Sequence, residues 1–344
     1  MKRKNFLAAL FASCSSISLM GRSKWLSLSE LHQELVLVNQ PPYLKAGDTV
    51  AIISPAGFIS VEDIQPAVKK LEEWGYKVVV GKSIGKKDFT FSGTDAERLD
   101  DFQSMLDNEA VKAILCARGG YGIIRIIDQI NFSKFSRFPK WVIGFSDATV
   151  LHCHINRNLN VATIHSKMCN SFPLDWNMAE DVQKTSINSI QDNLSGKKLV
   201  YQANPNKSNR LGKCSGALIG GNLRCIENLA GTKSDILTRN KILFLEDTEE
   251  YLYNIDRMFW NLKRSGKLSG LKGLIIGGFK VKKDDEGEEF GKTLQEIVLE
   301  KVREYHYPVC FDFPVGHQKH NMALQCGIVH QLDVEDAGVT LVNV

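Results

Sequence analysis

A serine that lies between a strand and a helix is the first residue in this sequence that could do chemistry. In residues 141–148 an apolar run leads into Ser146, and Asp147 begins a predicted helix. Gly144 and Ala148 lie two residues before and two residues after the serine. A nucleophile elbow needs small residues there, because its sharp turn brings both positions together beneath the hydroxyl. The alternative is that Ser146 only caps a helix.

A glycine-rich turn follows another predicted strand. Residues 118–122, with the sequence Arg-Gly-Gly-Tyr-Gly, come directly after the apolar run 111–117. Glycines of this kind let backbone N–H groups approach a ligand. The segment lacks the Lys-Ser/Thr of a P-loop and does not fit G-x-G-x-x-G, so an oxyanion hole is preferred over phosphate or nucleotide binding. In that interpretation the N–H of Asp147 and one near Gly120 serve a single oxyanion, and a tight turn without function is the remaining alternative.

A serine hydroxyl needs a general base, and the base needs an acid that orients it. His317 is the preferred base, because it lies in a glycine-containing loop after a predicted strand, and His320 is its rival. For the acid, the apolar run 242–245 ends in Glu246 and Asp247. Either carboxylate could hold an imidazole tautomer, and the spacing leaves this choice open.

The spacing of cysteines and histidines does not predict a metal site. None of the eight cysteines lies in a C-x-x-C pair, which argues against zinc-ribbon and thioredoxin-like sites. His152 and His154 are two residues apart on a predicted helix, so they point to different faces. We therefore expect no metal site, and the sequence offers no disulfide framework.

The elements that must position these residues alternate between strands and helices. Strands of the first half are predicted at 49–54, 77–80, 111–117 and 141–145. One of the intervening helices is predicted to run through residue 127. Strands of the second half are predicted at 216–219, 242–245, 274–277 and near 309–311, with helices that begin near residues 222, 251 and 292. Such alternation predicts an α/β fold with a parallel sheet covered on both faces.

The domain organisation follows from length and from a change in composition. A chain of 344 residues is long enough for two domains. Between them, residues 175–209 are polar, which predicts a linker or mobile loop. The predicted boundaries are a leader at 1–24, a nucleophile-bearing α/β domain at 42–172, the linker or mobile loop at 173–209, and a domain with the acid and base at 210–344.

The net charge of +4 belongs to the N-terminus. Five basic and no acidic residues lie in the first 24 positions, and the remainder has 38 basic and 39 acidic residues, so no nucleic-acid partner is expected. A basic start, a short apolar run and small residues are typical of a secretory signal. The run at 6–12 is too short for a stable membrane span. We expect an exported protein, periplasmic or lipid-anchored at Cys14, with a cytoplasmic location as the alternative.

Taken together, these motifs resemble the LD-carboxypeptidase (muramoyltetrapeptide carboxypeptidase) family of serine peptidases, which includes the microcin-immunity peptidases. The resemblance extends from about residue 42 to residue 341. The matching motifs are Ser54-Pro55-Ala56-Gly57, Ala117-Arg118-Gly119-Gly120-Tyr121-Gly122, Gly144-Phe145-Ser146-Asp147, Gly220-Gly221-Asn222-Leu223, Phe244-Leu245-Glu246-Asp247, Ile255-Asp256-Arg257, and Gly316-His317 with Asn321. Their order over most of the chain makes coincidence an inadequate explanation.

The resemblance implies a catalytic triad of Ser146, Glu246 and His317, and so prefers Glu246 to Asp247 and His317 to His320. It also implies an N-terminal flavodoxin-like or class I glutamine amidotransferase-like domain. The second domain would be a C-terminal α/β domain with swivelling β-barrel character. Members of the family are commonly dimers, so a homodimer is expected.

The implied reaction is cleavage of the L,D-amide bond that releases the terminal D-alanine from murein (peptidoglycan) tetrapeptides, through an acyl-enzyme and without a metal or cofactor. N–H groups near Gly120 and from Asp147 would stabilise the oxyanion, and Arg118 would meet the substrate carboxylate. One alternative is an amidase that detoxifies a peptidyl-nucleotide antibiotic of the microcin type, with Trp176 stacking on the substrate. The other is an inactive cell-envelope binding module, against which the intact trio argues.

Overall fold

The first half of the chain builds a six-stranded sheet. The computed structural model describes residues 38–344. The strands of this sheet are β1 (Thr49–Ile53), β2 (Lys77–Val80), β3 (Val111–Cys116), β4 (Trp141–Gly144), β5 (Thr163–His165) and β11 (Leu324–Cys326). Their order is β11-β5-β4-β3-β1-β2, and all neighbours are parallel except β11 and β5. The parallel part has the 2-1-3-4-5 order of flavodoxin-like folds, in which ligands bind where β1 and β3 diverge.

Helices and turns connect these strands. They are α1 (Gln65–Glu73), α2 (Asp95–Asp107), α3 (Ser133–Arg137) and α4 (Thr149–Asn158). Helix α2 begins with a capping box between Thr94 and Glu97. The prediction of a helix through residue 127 is wrong, because the chain forms two single 3₁₀ turns there, Ile123–Arg125 and Ile127–Gln129. The region is rich in β-branched isoleucine, and it follows glycines whose positive φ angles are not helical.

The second half of the chain builds a seven-stranded sheet. Its strands are β6 (Val200–Ala203), β7 (Gly212–Asn222), β8 (Ile242–Glu250), β9 (Gly273–Val281), β10 (Val309–Cys310), β12 (Val329–Glu335) and β13 (Gly338–Asn343). The order is β10-β9-β8-β7-β12-β13-β6, with β7 to β10 parallel and the other pairs antiparallel. Helices α6 (Leu223–Asn228), α7 (Leu252–Arg264) and α8 (Leu294–Lys301) accompany it. The predicted α/β class is confirmed.

The polar segment expected to be a linker or mobile loop contains regular structure. Residues 181–195 form helix α5 (Asp181–Ser195), and strand β6 follows it. The buried face of α5 mixes Ile187, Ile190 and Leu194 with buried polar side chains. Because those polar side chains face inward, the composition resembles that of a solvated loop. The predicted domain boundaries at 42–172 and 210–344 stay a prediction.

One apolar core joins the two sheets. Buried side chains of both sheets belong to the same cluster, including Ile114 and Val142 of the first sheet and Ile219 and Leu243 of the second. Leu151 of helix α4 lies in this cluster as well. Residues 39–344 accordingly form one compact unit. The strand ends of the two sheets are therefore held in a fixed relation to each other.

Three predictions concern the membrane, the cysteines and the leader. Within residues 38–344 no helix has both the length and the apolar character needed to cross a membrane. The seven cysteines of that range are free thiols. The leader at 1–24, with Cys14, lies outside the described residues.

Candidate active site

Ser146 lies on a strained turn at the end of strand β4. Its φ is +60°, a left-handed conformation that costs energy for a residue with a side chain. The 3₁₀ turn Ser146–Ala148 then leads directly into helix α4. A methyl group at Gly144 would lie 2.9 Å from the Cβ of Ala148, which explains why both positions are small. This geometry is that of a nucleophile elbow rather than of a simple helix cap.

The glycine-rich turn after β3 packs against this serine. A methyl group at Gly119 would lie 3.0 Å from the Ser146 Oγ, so a side chain there would collide with the hydroxyl. The Gly119 carbonyl accepts a hydrogen bond of 3.0 Å from the N–H of Gly57, in the turn after β1. In the described part of the chain, the N–H of Gly120 donates to no acceptor. An unpaired N–H beside a nucleophile is what an oxyanion hole requires.

Arg118 lies at the outer edge of the same turn. Its side chain is exposed, and its Nη1 donates to the Phe58 carbonyl at 2.9 Å. That bond places the guanidinium beside the turn after β1, near Gly57. A guanidinium there is accessible to a substrate carboxylate, which is the chemistry that the sequence assigned to it.

The side chain of Asp147 points inward, away from solvent. The residue is only 4% exposed, and its Oδ2 accepts a hydrogen bond of 2.8 Å from the N–H of Ile123. Burial raises the pKa of this carboxyl to about 6, although the Ile123 N–H and the positive charge of Arg98 act in the opposite direction. The residue next to the serine therefore binds the far end of the glycine-rich turn.

Glu246 and His317 form a close pair in the second half of the chain. The Oε2 of Glu246 lies 2.5 Å from the Nδ1 of His317, and it also accepts from the His317 N–H at 3.2 Å. Glu246 is fully buried, whereas the His317 side chain is 19% exposed. The imidazole ring also packs against Phe145, with ring centroids 4.9 Å apart. Since Phe145 precedes Ser146, this contact brings the base to the elbow.

The two rival residues have other partners. Asp247 accepts hydrogen bonds from the Asn222 side chain at 2.9 Å and from the N–H of Arg224 at 3.0 Å, so it supports the start of helix α6. Burial raises the pKa of Asp247 to about 6. No hydrogen bond within residues 38–344 joins His320 to Glu246 or Ser146. The geometry thus favours Glu246 and His317, the pair that the family resemblance preferred.

The described structure brings Ser146 and His317 to one place without a hydrogen bond between them. Among residues 38–344, the Ser146 hydroxyl has no hydrogen-bond partner. Such bonds are often long in the free enzyme and shorten when substrate binds. The structure therefore places a hydrogen-bonded Glu246–His317 pair next to the strained turn at Ser146.

A glycine lets the histidine loop approach Glu246. Gly316 has φ +99°, and a methyl group there would lie 2.3 Å from the Glu246 Cβ. The Gly316 N–H donates to the Asn321 side chain at 2.9 Å, which closes the loop. Any side chain at position 316 would push the loop away from the carboxylate.

Helix α5 supports the histidine loop with three buried polar side chains. The Oγ of Ser186 accepts from the N–H of Asn321 at 3.1 Å, and the Oγ of Ser189 accepts from the N–H of Ala323 at 2.8 Å. The Asn193 amide donates to the Ala323 carbonyl at 3.0 Å. Spacings of three and four residues place these side chains on one helix face. The segment that reads as a linker therefore holds the chain on which the base lies.

Two neutral histidines lie beneath the elbow. The Nε2 of His152 lies 2.9 Å from the Gly144 carbonyl, and burial lowers the His152 pKa to about 4. His165 is fully buried, and burial lowers its pKa well below the usual value. Both rings therefore stay uncharged near neutral pH. His165 packs edge-on against Phe145, which in turn contacts His317.

Two groups of supporting residues escaped the sequence analysis. Arg98 is completely buried, yet in the sequence it is one arginine in the charged first turn of a capped helix. For Ser186 and Ser189 a signal was present: Ile187 and Ile190 show the spacing of a helix with one buried face. The high polar content of the segment obscured that spacing.

Comparison with known proteins identifies the family. The LD-carboxypeptidase N-terminal domain model matches residues 50–166, and the LD-carboxypeptidase C-terminal domain model matches residues 215–332. The first match contains Ser146, and the second contains both Glu246 and His317. Helix α5 lies between the two matched regions.

Individual relatives agree with this assignment. A probable murein peptide carboxypeptidase of Bacillus subtilis is 33% identical over 84% of this chain and 89% of its own. The microcin C7 self-immunity protein MccF of Escherichia coli is 25% identical over 87% of this chain and 94% of its own. Among solved structures, the muramoyltetrapeptide carboxypeptidase of Oxalobacter formigenes superposes with a TM-score of 0.74 and 26% identity, covering 86% of this chain and 99% of that one. The chain belongs to the LD-carboxypeptidase family.

Proposed function

We propose that this protein is a serine carboxypeptidase that cleaves the L,D-amide bond before the terminal D-alanine of murein tetrapeptides, a reaction of peptidoglycan recycling. The observation that carries the proposal is the buried Glu246–His317 pair beside the strained Ser146 elbow. Relatives named for murein peptide hydrolysis support the choice of substrate. The two domain matches that contain these residues support the choice of reaction.

The chemistry follows from the hydrogen bonds of His317. Because Glu246 binds Nδ1, that nitrogen carries the proton and Nε2 is left with a lone pair. Nε2 takes the proton of Ser146 as the hydroxyl oxygen attacks the substrate carbonyl. The resulting imidazolium is stabilised by the buried carboxylate and returns the proton to the leaving amine of D-alanine. Water, activated by the same histidine, then hydrolyses the acyl-enzyme.

Two further groups complete the proposed site. The N–H groups of Gly120 and Asp147 bind the oxyanion of the tetrahedral intermediate, and the loss of one such donor typically slows kcat by about 10²–10³. Arg118, exposed beside this turn, binds the free carboxylate of the terminal D-alanine. The requirement for that carboxylate makes the enzyme a carboxypeptidase rather than an endopeptidase.

The second candidate is hydrolysis of a peptidyl-nucleotide of the microcin type. The similarity to MccF favours it. The stacking residue that this alternative needs is partly occupied, because the Lys70 Nζ lies 3.8 Å from the centre of the Trp176 ring. One face of Trp176 is thus covered by a cation of helix α1, which leaves murein peptide as the preferred substrate.

The test compares three substrates by mass spectrometry of the products. Purified wild-type protein is incubated with murein tetrapeptide, with the same peptide ending in L-alanine, and with an aspartyl-adenylate analogue. We expect tripeptide and D-alanine from the first substrate only. Cleavage of the nucleotide analogue alone would replace the main proposal with the second candidate, and cleavage of none of them would support an inactive binding module.

The location and assembly of the protein are proposed on the sequence alone. The basic N-terminus and short apolar run support export, with a lipid anchor at Cys14, and the family resemblance supports a homodimer. Fractionation of cells and the mass of the mature N-terminus test the first two statements. Light scattering of the purified chain tests the third.

A further inference from the structure

A fully buried arginine connects the turn after β1, the turn after β3 and the segment that precedes helix α2. Arg98, in helix α2, has no exposed surface. Its Nη1 donates to the Pro55 carbonyl at 2.5 Å and to the Gly122 carbonyl at 3.1 Å, and its Nε donates to the Gly93 carbonyl at 3.3 Å. A guanidinium can make these bonds together because its five N–H donors lie in one rigid plane.

The peptide group that joins Gly122 to Ile123 binds Arg98 on one side and Asp147 on the other. The Gly122 carbonyl faces the Arg98 cation, and the N–H of the next residue, Ile123, donates to the Asp147 carboxylate at 2.8 Å. One peptide plane therefore lies between a positive and a negative buried group. Its own dipole is aligned with both charges, because the carbonyl oxygen is partly negative and the N–H is partly positive.

Glycine is required where the arginine approaches. Gly122 has φ +149°, and a methyl group there would lie 2.7 Å from the Arg98 Nη1 and 3.2 Å from the Ala56 Cα. At the other end of the same turn, a methyl group on Gly119 would lie 3.0 Å from the Ser146 Oγ, so the backbone there passes close to the hydroxyl. The position of the peptide after Gly122 thus determines where the turn lies relative to the nucleophile.

We propose that Arg98 and the Asp147 carboxylate are positioning residues that clamp the Gly122–Ile123 peptide and so fix the oxyanion-binding turn against Ser146. The inference rests on the proposed function, because it assigns a role to the turn in that reaction. Neither side chain touches the substrate. Both act through the backbone of residues 119–122, whose position matters most when the oxyanion forms. Misplacement by about 1 Å at such a site can cost about 10² in rate.

The pair Asp147→Ala and Asp147→Asn tests the clamp through kcat and KM. The alanine variant lacks the acceptor for the Ile123 N–H, so kcat for D-alanine release should fall by about 10–100-fold while KM changes by less than about threefold. The asparagine variant keeps an acceptor oxygen and should recover most of kcat. Equal losses in both variants would show that the charge, rather than the clamp, matters. An unchanged kcat in folded Asp147→Ala would overturn the proposal.

Arg98→Lys removes the branched donor while it keeps the charge, and should lower kcat in the same way. The matched control is Lys86→Gln, which breaks an exposed ion pair of 2.8 Å with Glu97 on the same helix turn and touches none of the clamped groups. It should leave kcat unchanged. If Arg98→Lys does not fold, the two Asp147 variants decide the question.

Hydrogen exchange separates the clamp from the proposed function. The Ile123 amide should exchange faster in Asp147→Ala and Arg98→Lys than in wild type, Asp147→Asn or Lys86→Gln. This holds even if the wild-type protein releases no D-alanine, in which case the proposed function fails and the clamp stands. Unchanged Ile123 protection in folded Asp147→Ala would contradict the clamp itself.

Discussion

The nucleophile half and the base half of the candidate site are supported by different kinds of group. The turn beside Ser146 is held by two buried charged side chains, Arg98 and Asp147. The loop that carries His317 is held mainly by neutral hydroxyl and amide groups of helix α5, such as Ser186. One charged group, the Lys167 ammonium, also donates to the Gln318 carbonyl at 3.0 Å. Both sets of bonds end on backbone atoms of a loop that follows a strand.

The difference corresponds to what each loop must do. An oxyanion acquires negative charge during the reaction, so its binding turn must already be in place, and charge-assisted bonds hold a peptide more firmly than neutral ones. In the proposed reaction His317 gains a positive charge, and its electrostatic partner is the buried Glu246 itself. The remaining supports of that loop need only position it. Loss of the clamp in the nucleophile half, or of the Glu246 charge in the base half, should therefore matter most, and loss of a neutral support should matter much less.

Among these variants, replacement of Glu246 should lower kcat the most. Glu246→Gln removes the negative charge beside His317 and favours the wrong tautomer, so we expect kcat to fall by about 10³–10⁴. The rate of D-alanine release at saturating substrate measures the effect. The neighbouring carboxylate provides the matched control: Asp247→Asn should lower kcat by less than about tenfold, because Asp247 contacts Asn222 and Arg224 instead. The reverse order of the two losses would assign the acid to Asp247.

An effect of intermediate size is expected on the pH dependence of stability, which should differ between the two halves of the site. The Asp147 pKa is raised from 3.8 to about 6 by burial, so the folded state binds this proton more tightly than the unfolded chain does. The stabilising contribution is complete below about pH 3.8 and is lost as pH rises through about 6. Asparagine does not titrate, so only the wild type loses this contribution. On going from about pH 4 to about pH 7, the free energy of unfolding of Asp147→Asn should therefore rise by about 2 kcal/mol relative to that of wild type. Denaturant titrations at both pH values measure this difference.

A base-side variant serves as the control for that titration. Ser186→Ala removes a hydroxyl that does not ionise, so its stability difference from wild type should be the same at both pH values. A stability difference that changes with pH in Ser186→Ala, or one that stays constant in Asp147→Asn, would contradict the contrast between charged and neutral support.

The neutral supports should give the smallest effect. Ser186→Ala leaves the buried N–H of Asn321 without its acceptor, which should lower the free energy of unfolding by about 1 kcal/mol. We expect kcat to fall only a few-fold, since Gly316 and Asn321 still close the loop. Ser195→Ala, at the exposed end of the same helix, should change neither quantity. A loss of kcat as large as that of Glu246→Gln would mean that the base half depends on α5 as strongly as on its acid.

The nucleophile half was largely readable from the sequence. A strand, a serine between small residues and a glycine-rich turn are local patterns, and the structure places Gly144, Ser146 and Gly119 together as such patterns predict. The capping box at Thr94 was equally local and is confirmed. The sequence could not reveal that Arg98 points inward, because the Pro55 and Gly122 carbonyls that it binds lie far away in the chain. Its local ion pair with Asp95 is equally typical of an exposed helix face.

The base half was less readable for a physical reason. The choice between Glu246 and Asp247 depends on which way each side chain points from β8, and β8 departs from regular register between Leu245 and Asp247. Alternation along the strand therefore cannot settle it. Helix α5 was missed because its buried face carries hydroxyl and amide groups that bond to backbone. Polar composition signals solvent exposure only when such partners are absent.

In the proposed mechanism, Ser146 is the nucleophile of a relay whose acid and base come from the second half of the chain. The most direct test is the rate of D-alanine release from murein tetrapeptide by wild-type protein and by Ser146→Ala, with folding checked by circular dichroism. We expect kcat to fall by about 10⁴ or more in a variant that remains folded. A folded Ser146→Ala protein that releases D-alanine within about tenfold of the wild-type rate would contradict it.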